Sequence, residues 1–429
     1  MTSSTAANKS HEIVIIGGGI IGCSTAYYLS RHPSFSSQST SSPITIKLIE
    51  ASKQGPAQGA SGKAGGLIAK WAYPKELVNI SFAEHVKLAE EHNGKDRWGW
   101  RFVDCGSWEG KGVLSQESGT GVGKEGNRKS LEKTLGLNGD HEELEKPLDL
   151  AKRRRKGLPD DLLWVDEEST YSYSPMAPKG HTAQVHPYLF TTSMMSLAQE
   201  KGVEFISGRV TNVLQDHTSG KITGVTYLES NPDSGAPKEV TISATDVIIA
   251  AGAWCPSIDI VSSLPISATR AHSVTVRPQP SVTISPYVLF TEISLSGANV
   301  SPEIYARPDN EVYACGPGDD SALPDNVDDV LVDQKACESI YKHISSISPQ
   351  LSNGTVEKRQ ACFLPIVSTG GGPIVGAASH IAKGLYIATG HTCWGICNAP
   401  GTAKIISELV FDGKIRSGNL KNLHPSRFE

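Results

Sequence analysis

The feature that most constrains this chain is Gly17-Gly-Gly-Ile-Ile-Gly22, set between two segments of different character. His11-Glu-Ile-Val-Ile-Ile16 before it is short and almost continuously apolar, as in a buried parallel strand. Cys23–Arg31 after it reads as a helix rich in small residues, and Ile44–Glu50 reads as a second strand. Strand, glycine turn, helix and strand make a βαβ unit. Each glycine has its own job there. Gly17 permits the tight turn, Gly19 lets the backbone approach a pyrophosphate, and Gly22 lets helix and strand pack closely. The amides at Ile20 and Ile21 open the helix, whose N-terminus offers free donors and partial positive charge to phosphate. Glu50 ends the second strand, where a carboxylate accepts from ribose hydroxyls. It lies 28 residues past Gly22, against the ~20 expected of the fingerprint. The Ser/Pro-rich loop over 33–43 accounts for the excess. A purely structural glycine turn explains neither the flanking strand nor the placed acid. The fingerprint does not by itself separate NAD from FAD.

Composition excludes several classes. Forty Lys+Arg against 45 Asp+Glu leave a net charge of −5, which gives no reason to expect a nucleic-acid partner. At 429 residues the chain has length for two to four domains. Apolar runs such as Ile13–Ile16 and Val247–Ala251 fall far short of the ~20 residues of a membrane span. The first residues carry no apolar signal core and the last are not Ser-Lys-Leu. Eight scattered cysteines, none in a CxxC pair, favour reduced thiols over disulfides or zinc. The expectation is a cytoplasmic protein with a small-molecule substrate, no metal and a monomeric state.

Helices are expected over 74–92, 186–201, 328–346 and from about 395 to 410. Strands are expected at 203–207, 211–214, 221–228, 239–243 and 246–250, then as an alternating series over 266–315, and last at 385–389. Residues 110–160 differ in composition, being rich in Gly, Ser, Lys and Glu and ending in Lys152-Arg-Arg-Arg-Lys156. They read as a flexible insertion with a solvated charge run, a nuclear-localisation signal being the alternative.

Later segments carry a family resemblance. Asp246-Val-Ile-Ile-Ala-Ala-Gly-Ala-Trp254 is a strand closing on small residues, and Gly59-Ala-Ser-Gly-Lys-Ala-Gly-Gly66 is a second glycine-rich stretch. Phe363-Leu-Pro-Ile366 with Gly372-Pro-Ile-Val-Gly376, and Gly390-His-Thr-Cys-Trp-Gly395 leading to Ala399-Pro400, close the chain. In this order the segments resemble the D-amino acid oxidase superfamily of flavoproteins, which includes glycine, sarcosine and fructosyl amino acid oxidases. GASGKAGG early with HTCWG late is most similar to fungal oxidoreductases of that group. The resemblance implies an α/β fold, with a Rossmann-like FAD-binding domain of glutathione-reductase type and a second α+β substrate domain on an antiparallel sheet. The expected FAD domain is discontinuous (1–80, 181–265, 355–429), and the substrate domain comprises 81–180 and 266–354. Implied FAD contacts beyond the fingerprint are Ala60, Ser61, Gly65, Gly66, Leu67, Val210, Ala251, Gly252, Trp254, Cys362, Gly390, His391, Gly395 and Ile396. Ser61 and the amides after it are expected at the phosphates, and Lys63 either near flavin N5 or facing solvent. Trp71 is expected to serve packing.

The resemblance also marks a departure. Amino-acid oxidases of the family hold the substrate carboxylate with an Arg, and Leu364 stands at the matching position. Cys362 matches a cysteine covalently joined to flavin in the sarcosine oxidase group, a buried structural thiol being the alternative. Lys63, Arg270, His391 and Trp394 are the candidate catalytic residues. His272, Tyr305 and Arg307 are further candidates, for which structural roles are equally open. The implied activity is FAD-dependent oxidation of a C–N bond by hydride transfer, with oxygen as acceptor. The alternatives are a flavin dehydrogenase for a hydroxy acid or larger metabolite, and a flavin-bound protein that serves interaction or trafficking.

Overall fold

The computed structural model describes residues 11–36, 43–114, 156–229 and 238–428. They form two large sheets and one small one. The first sheet runs, in spatial order, Lys238–Ser243, Lys221–Glu229, Glu204–Asp216, Ile44–Glu50, His11–Ile16, Asp246–Ile249, Leu385–Thr389 and Ile374–Ala377. The five strands from Glu204–Asp216 to Leu385–Thr389 are parallel, and both edges are antiparallel.

The apolar run of His11–Ile16 follows from its central place. Ile13 and Ile15 enter a core shared with Leu29, Met194 and Ile405, from the helices Ile20–Ser30, Pro187–Gln199 and Gly395–Asp412. Val14 and Ile16 face the opposite core, with Val225 and Tyr227 of the antiparallel meander. A strand buried on both faces has no polar side to alternate with. The helix Lys75–Glu91 packs against the last helix, where Ser81 Oγ accepts from the Gly401 amide at 3.0 Å.

The second sheet runs Thr355–Val367, Ile266–Arg277, Val312–Cys315, Glu303–Ala306, Tyr287–Leu295, Asp104–Lys111 and Thr170–Pro175, with Ala298–Val300 paired to Tyr287–Leu295. It is antiparallel except where Tyr287–Leu295 meets Asp104–Lys111. Helix Gln334–Ser345 packs Cys337, Ile340 and Ile344 on Val274, Val312 and Ala314. A short sheet of Leu67–Ala69, Thr182–Gln184 and Arg101–Phe102 completes the fold.

Several boundaries differ from those read off the sequence. Thr355–Val367, grouped there with the FAD domain, pairs along the length of Ile266–Arg277 and belongs to the second sheet. Lys75–Glu91 runs through the boundary expected at residue 80. The two strands expected at 203–207 and 211–214 are one strand, Glu204–Asp216, whose register shifts between Val210 and Asn212. The helix expected from 328 starts at Gln334, because Asp333 caps it by accepting from the Lys335 and Ala336 amides. Of the expected insertion, residues 110–114 and 156–160 are described: Asp104–Lys111 is a strand and the Val113 amide donates to Ser346 O at 2.8 Å. The rest, with most of the basic run, lies outside the described residues. Among the described residues no helix is long and apolar enough to cross a membrane, and no group of three or more His, Cys, Asp or Glu is placed to hold a metal.

Candidate active site

A cleft of about 340 Å³ opens at the carboxyl ends of the parallel strands and reaches under the second sheet. This is where ligands bind in open α/β sheets. Of the residues expected to contact the cofactor, all but Gly22, Gly66, Leu67 and Gly390 line it. Those four lie outside its lining. A Cβ on Gly22 would lie 1.9 Å from Gly17 O, so Gly22 sets the helix against the turn. Gly66 has φ +87° and a Cβ there would lie 2.0 Å from Val185 O. Gly66 and the adjoining Leu67 line a small side chamber instead. Gly390, at φ +79°, turns the chain against Val367.

The fingerprint loop is held from two sides. The Ser61 hydroxyl oxygen accepts from the Ile20 amide at 2.8 Å, at the start of the first helix. Glu50 accepts from the Gly18 amide and, at 2.8 Å, from the Ser52 amide. Burial pushes the Glu50 pKa up, and these two amides work against that shift. Sequence reasoning missed the segment that closes this end. Asn326 Nδ2 donates to Ala51 O at 3.3 Å and the Ser52 hydroxyl donates to Asp328 at 2.6 Å, while Asp325, Asn326 and Val327 line the cleft. No local pattern marks 325–328, because its role depends on a long-range approach. Trp254 lines the cleft with its indole N–H donating to Pro324 O at 2.7 Å.

At the other end Lys63 faces the cleft, and Nζ donates to Ala361 O at 3.0 Å. Burial lowers the Lys63 pKa, opposed by the neighbouring Cys362. Burial raises the Cys362 thiol to about 11, with Lys63 opposing, so it stays protonated near neutral pH. Leu364 lines the same wall; the arginine that lines the cleft among the described residues is Arg209, on the strand Glu204–Asp216.

Three candidates, Arg270, His272 and Trp394, lie away from the main cleft. Arg270 does not face the cleft. Its neighbour Ala271 does, and successive strand residues point to opposite faces. Arg270 Nε instead donates to both Asp319 carboxylate oxygens at 3.1 Å, and NH1 donates to Leu331 O at 3.1 Å. His272, on the same far face, accepts from the Asp333 amide at 3.0 Å. Trp394 lines the side chamber rather than the main cleft. Its ring meets Trp71 and Tyr73 edge-on, each at 5.6 Å, and its buried indole N–H has no acceptor among the described residues.

His391 lines the cleft, but its Nε2 is tied to the Thr402 hydroxyl at 3.0 Å. Burial lowers its pKa to about 3, so the ring is neutral and joins the turn to the last helix. From the second sheet come Glu303, Tyr305, Tyr313 and Cys315, of which only Tyr305 was singled out from sequence. Period-two alternation turns these four to the cleft and sends Ile304, Val312 and Ala314 to the core behind. The Tyr305 hydroxyl donates to Glu303 Oε2 at 2.5 Å. An acid opening an otherwise apolar strand was the available signal. Arg307 is structural: NH1 donates to Glu311 at 2.9 Å and NH2 to Ala64 O, which ties the glycine-rich loop to the second sheet.

A mostly parallel sheet with a glycine cradle at its strand ends, roofed by a second sheet, defines a two-domain dinucleotide-dependent oxidoreductase. The chain belongs to the DAO family, described as FAD dependent oxidoreductase, whose model matches residues 12–409. It is 33% identical to TDA3 of Saccharomyces cerevisiae, over 99% of this chain and 96% of the relative. Among solved structures it is similar to an L-proline dehydrogenase from P. horikoshii, with TM-score 0.66, 18% identity and 98% of each chain covered. It is also similar to a glycine oxidase from Bacillus cereus, with TM-score 0.65, 18% identity and coverage of 94% and 96%. The residues present fit FAD. The cleft runs from Asn326, past Gly17 and Gly65, where a Cβ would lie 2.5 Å from Ala250 O and 2.8 Å from the Tyr305 ring, to the residues under the second sheet.

Proposed function

We propose that this protein oxidises the C–N bond of an amine or amino-acid-like substrate, with oxygen as the final acceptor. FAD, when bound, supplies the hydride acceptor. The chain supplies position, dryness and field. The Ile21 amide and the Ser61 hydroxyl proton would hold phosphate, the Ile20 amide being taken by Ser61 Oγ, and Gly18 and Glu50 keep that loop in shape. Gly395 and Ile396, which open the last helix, bring its positive end to the cleft and favour negative charge there.

One observation carries the reading. The only histidine lining the cleft among the described residues is neutral and tied to Thr402. Hydride departure from a carbon beside a neutral amine needs orientation more than a strong base. The names of the two structural neighbours, an L-proline dehydrogenase and a glycine oxidase, are in keeping with an amine substrate. The neutral Cys362 thiol supports non-covalent FAD, which acid precipitation tests: flavin released to the supernatant is expected. The compartment in this proposal is the cytoplasm, and the state monomeric.

The deciding experiment is anaerobic mixing of the yellow protein with panels of amines, amino acids and hydroxy acids. Bleaching by an amine, and peroxide formation on readmitting air, are expected. Bleaching by hydroxy acids alone would replace this reading with the dehydrogenase one. Bleaching by none would favour an interaction role.

A further inference from the structure

Beside the main cleft lies a second cavity of about 40 Å³. That is several times the ~10–15 Å³ of such space that one water needs. Phe290, Tyr305 and Trp394 give it aromatic walls, and Glu303 is the only charged side chain that lines it among the described residues. Ala64, Gly65, Glu303, Tyr305, Cys393 and Ile396 line both spaces, so the chamber adjoins the cleft directly.

The walls are fixed. Trp71 stands edge-on to both Phe290 (6.0 Å) and Trp394 (5.6 Å), and its indole N–H donates to Thr182 at 3.2 Å. Gly65 is small because a Cβ there would sit 2.8 Å from the Tyr305 ring. Burial, and then the charge of Glu303, keep the Tyr305 hydroxyl protonated, so it donates to Oε2 and orients the carboxylate. Lys63 and Arg209, the lysine and arginine that line the main cleft among the described residues, are absent from this chamber.

A carboxylate among aromatic rings in a confined space attracts a cation and repels an anion. We propose that Glu303, with Phe290, Tyr305 and Trp394, is the specificity-determining recognition site for an alkylammonium head. The substrate class is then an amine bearing a second, cationic nitrogen and no α-carboxylate. This rests on reading the main cleft as the place of amine oxidation. The nitrogen seated against Glu303 keeps its charge, so the carbon that gives up hydride lies beside a different, neutral nitrogen in the main cleft.

Tetramethylammonium is the probe, titrated into the flavin-loaded protein and followed by the flavin absorbance and by calorimetry. Binding is expected, with tert-butanol of similar size and acetate both failing to bind. Glu303→Gln keeps an acceptor for Tyr305 and should retain flavin while losing at least tenfold in cation affinity. Phe290→Leu should weaken binding in the same direction. 1,4-Diaminobutane should bleach the flavin faster than butylamine. Unchanged cation affinity in Glu303→Gln, or tighter binding of acetate than of the cation, overturns the proposal. If Glu303→Gln fails to hold flavin, unchanged affinity in Phe290→Leu overturns it instead. Amines that bleach the flavin without any cation binding sink the chamber alone. Cation binding without bleaching by any amine sinks the oxidation reading alone.

Discussion

Ser61 accepts, through its hydroxyl oxygen, the backbone N–H of Ile20 at 2.8 Å, joining two glycine-rich segments 41 residues apart. The same hydroxyl would touch a Cβ added at Gly19, at 3.1 Å. One side chain thus satisfies the first amide of the first helix and, in the proposed reading, borders the path of a pyrophosphate. Ser61→Ala removes the acceptor of the Ile20 amide, at a cost of about 1 kcal/mol, and in the proposed reading also a phosphate donor. A lower melting temperature and at least a severalfold weaker hold on FAD are expected, read by thermal denaturation and by flavin content after dialysis. A variant that keeps full flavin would show that the hydroxyl only caps.

Gly22→Ala is the sharper test of the turn. Its new Cβ would lie 1.9 Å from a backbone oxygen, which no side-chain rotation relieves. The helix must shift away from the strand, a strain of the overpacking kind costing about 1–3 kcal/mol or more. The expected outcome is apo-protein of reduced stability, seen as a colourless preparation with an early unfolding midpoint.

Acid should weaken the fold through buried neutral histidines. Burial lowers His85 to about 4, against the opposing carbonyls of Ile396 and Cys397, and lowers His391 to about 3. Released by unfolding, both return to about 6.5. A folded pKa below the unfolded one means that the unfolded chain binds more protons. Stability from these groups is therefore full above pH 6.5 and falls as pH drops towards 4 and 3. The slope approaches about 1.4 kcal/mol per pH unit for each histidine. Urea unfolding at pH 7, 6 and 5 should show it, and His391→Gln should flatten the slope by about one proton.

Arg270→Ala should do little to flavin reduction. The guanidinium pairs with Asp319 on the face of the strand away from the cleft. Flavin content and the rate of reduction are expected within twofold of the wild type, with a stability loss of about 1 kcal/mol or less for a partly exposed pair. A tenfold loss in rate at unchanged flavin content would return Arg270 to the site.

The sequence alone determined what is local. Strand, Gly17–Gly22 turn, helix and Glu50 were legible because each glycine's constraint comes from atoms a few residues away or from the adjoining strands. The last strand, Leu385–Thr389, and the helix from Gly395 were legible for the same reason: a buried run, a glycine turn and a small-residue face are chain-local patterns. Most of the residues expected to contact the cofactor line the cleft beside them. The tertiary structure alone decided which way the second sheet turns its side chains. Because a strand alternates every residue, the register of Ile266–Arg277 against Thr355–Val367 settles that Ala271 enters the cleft and Arg270 leaves it. The same alternation carries Glu303, Tyr305, Tyr313 and Cys315 inward from strands more than 200 residues past the fingerprint. The loop over 325–328 closes the nucleotide end only through its approach to Ala51 and Ser52. Cofactor cradles are written in short motifs because the backbone itself binds. The substrate face is built from side chains, whose direction follows from a pairing that no single segment contains.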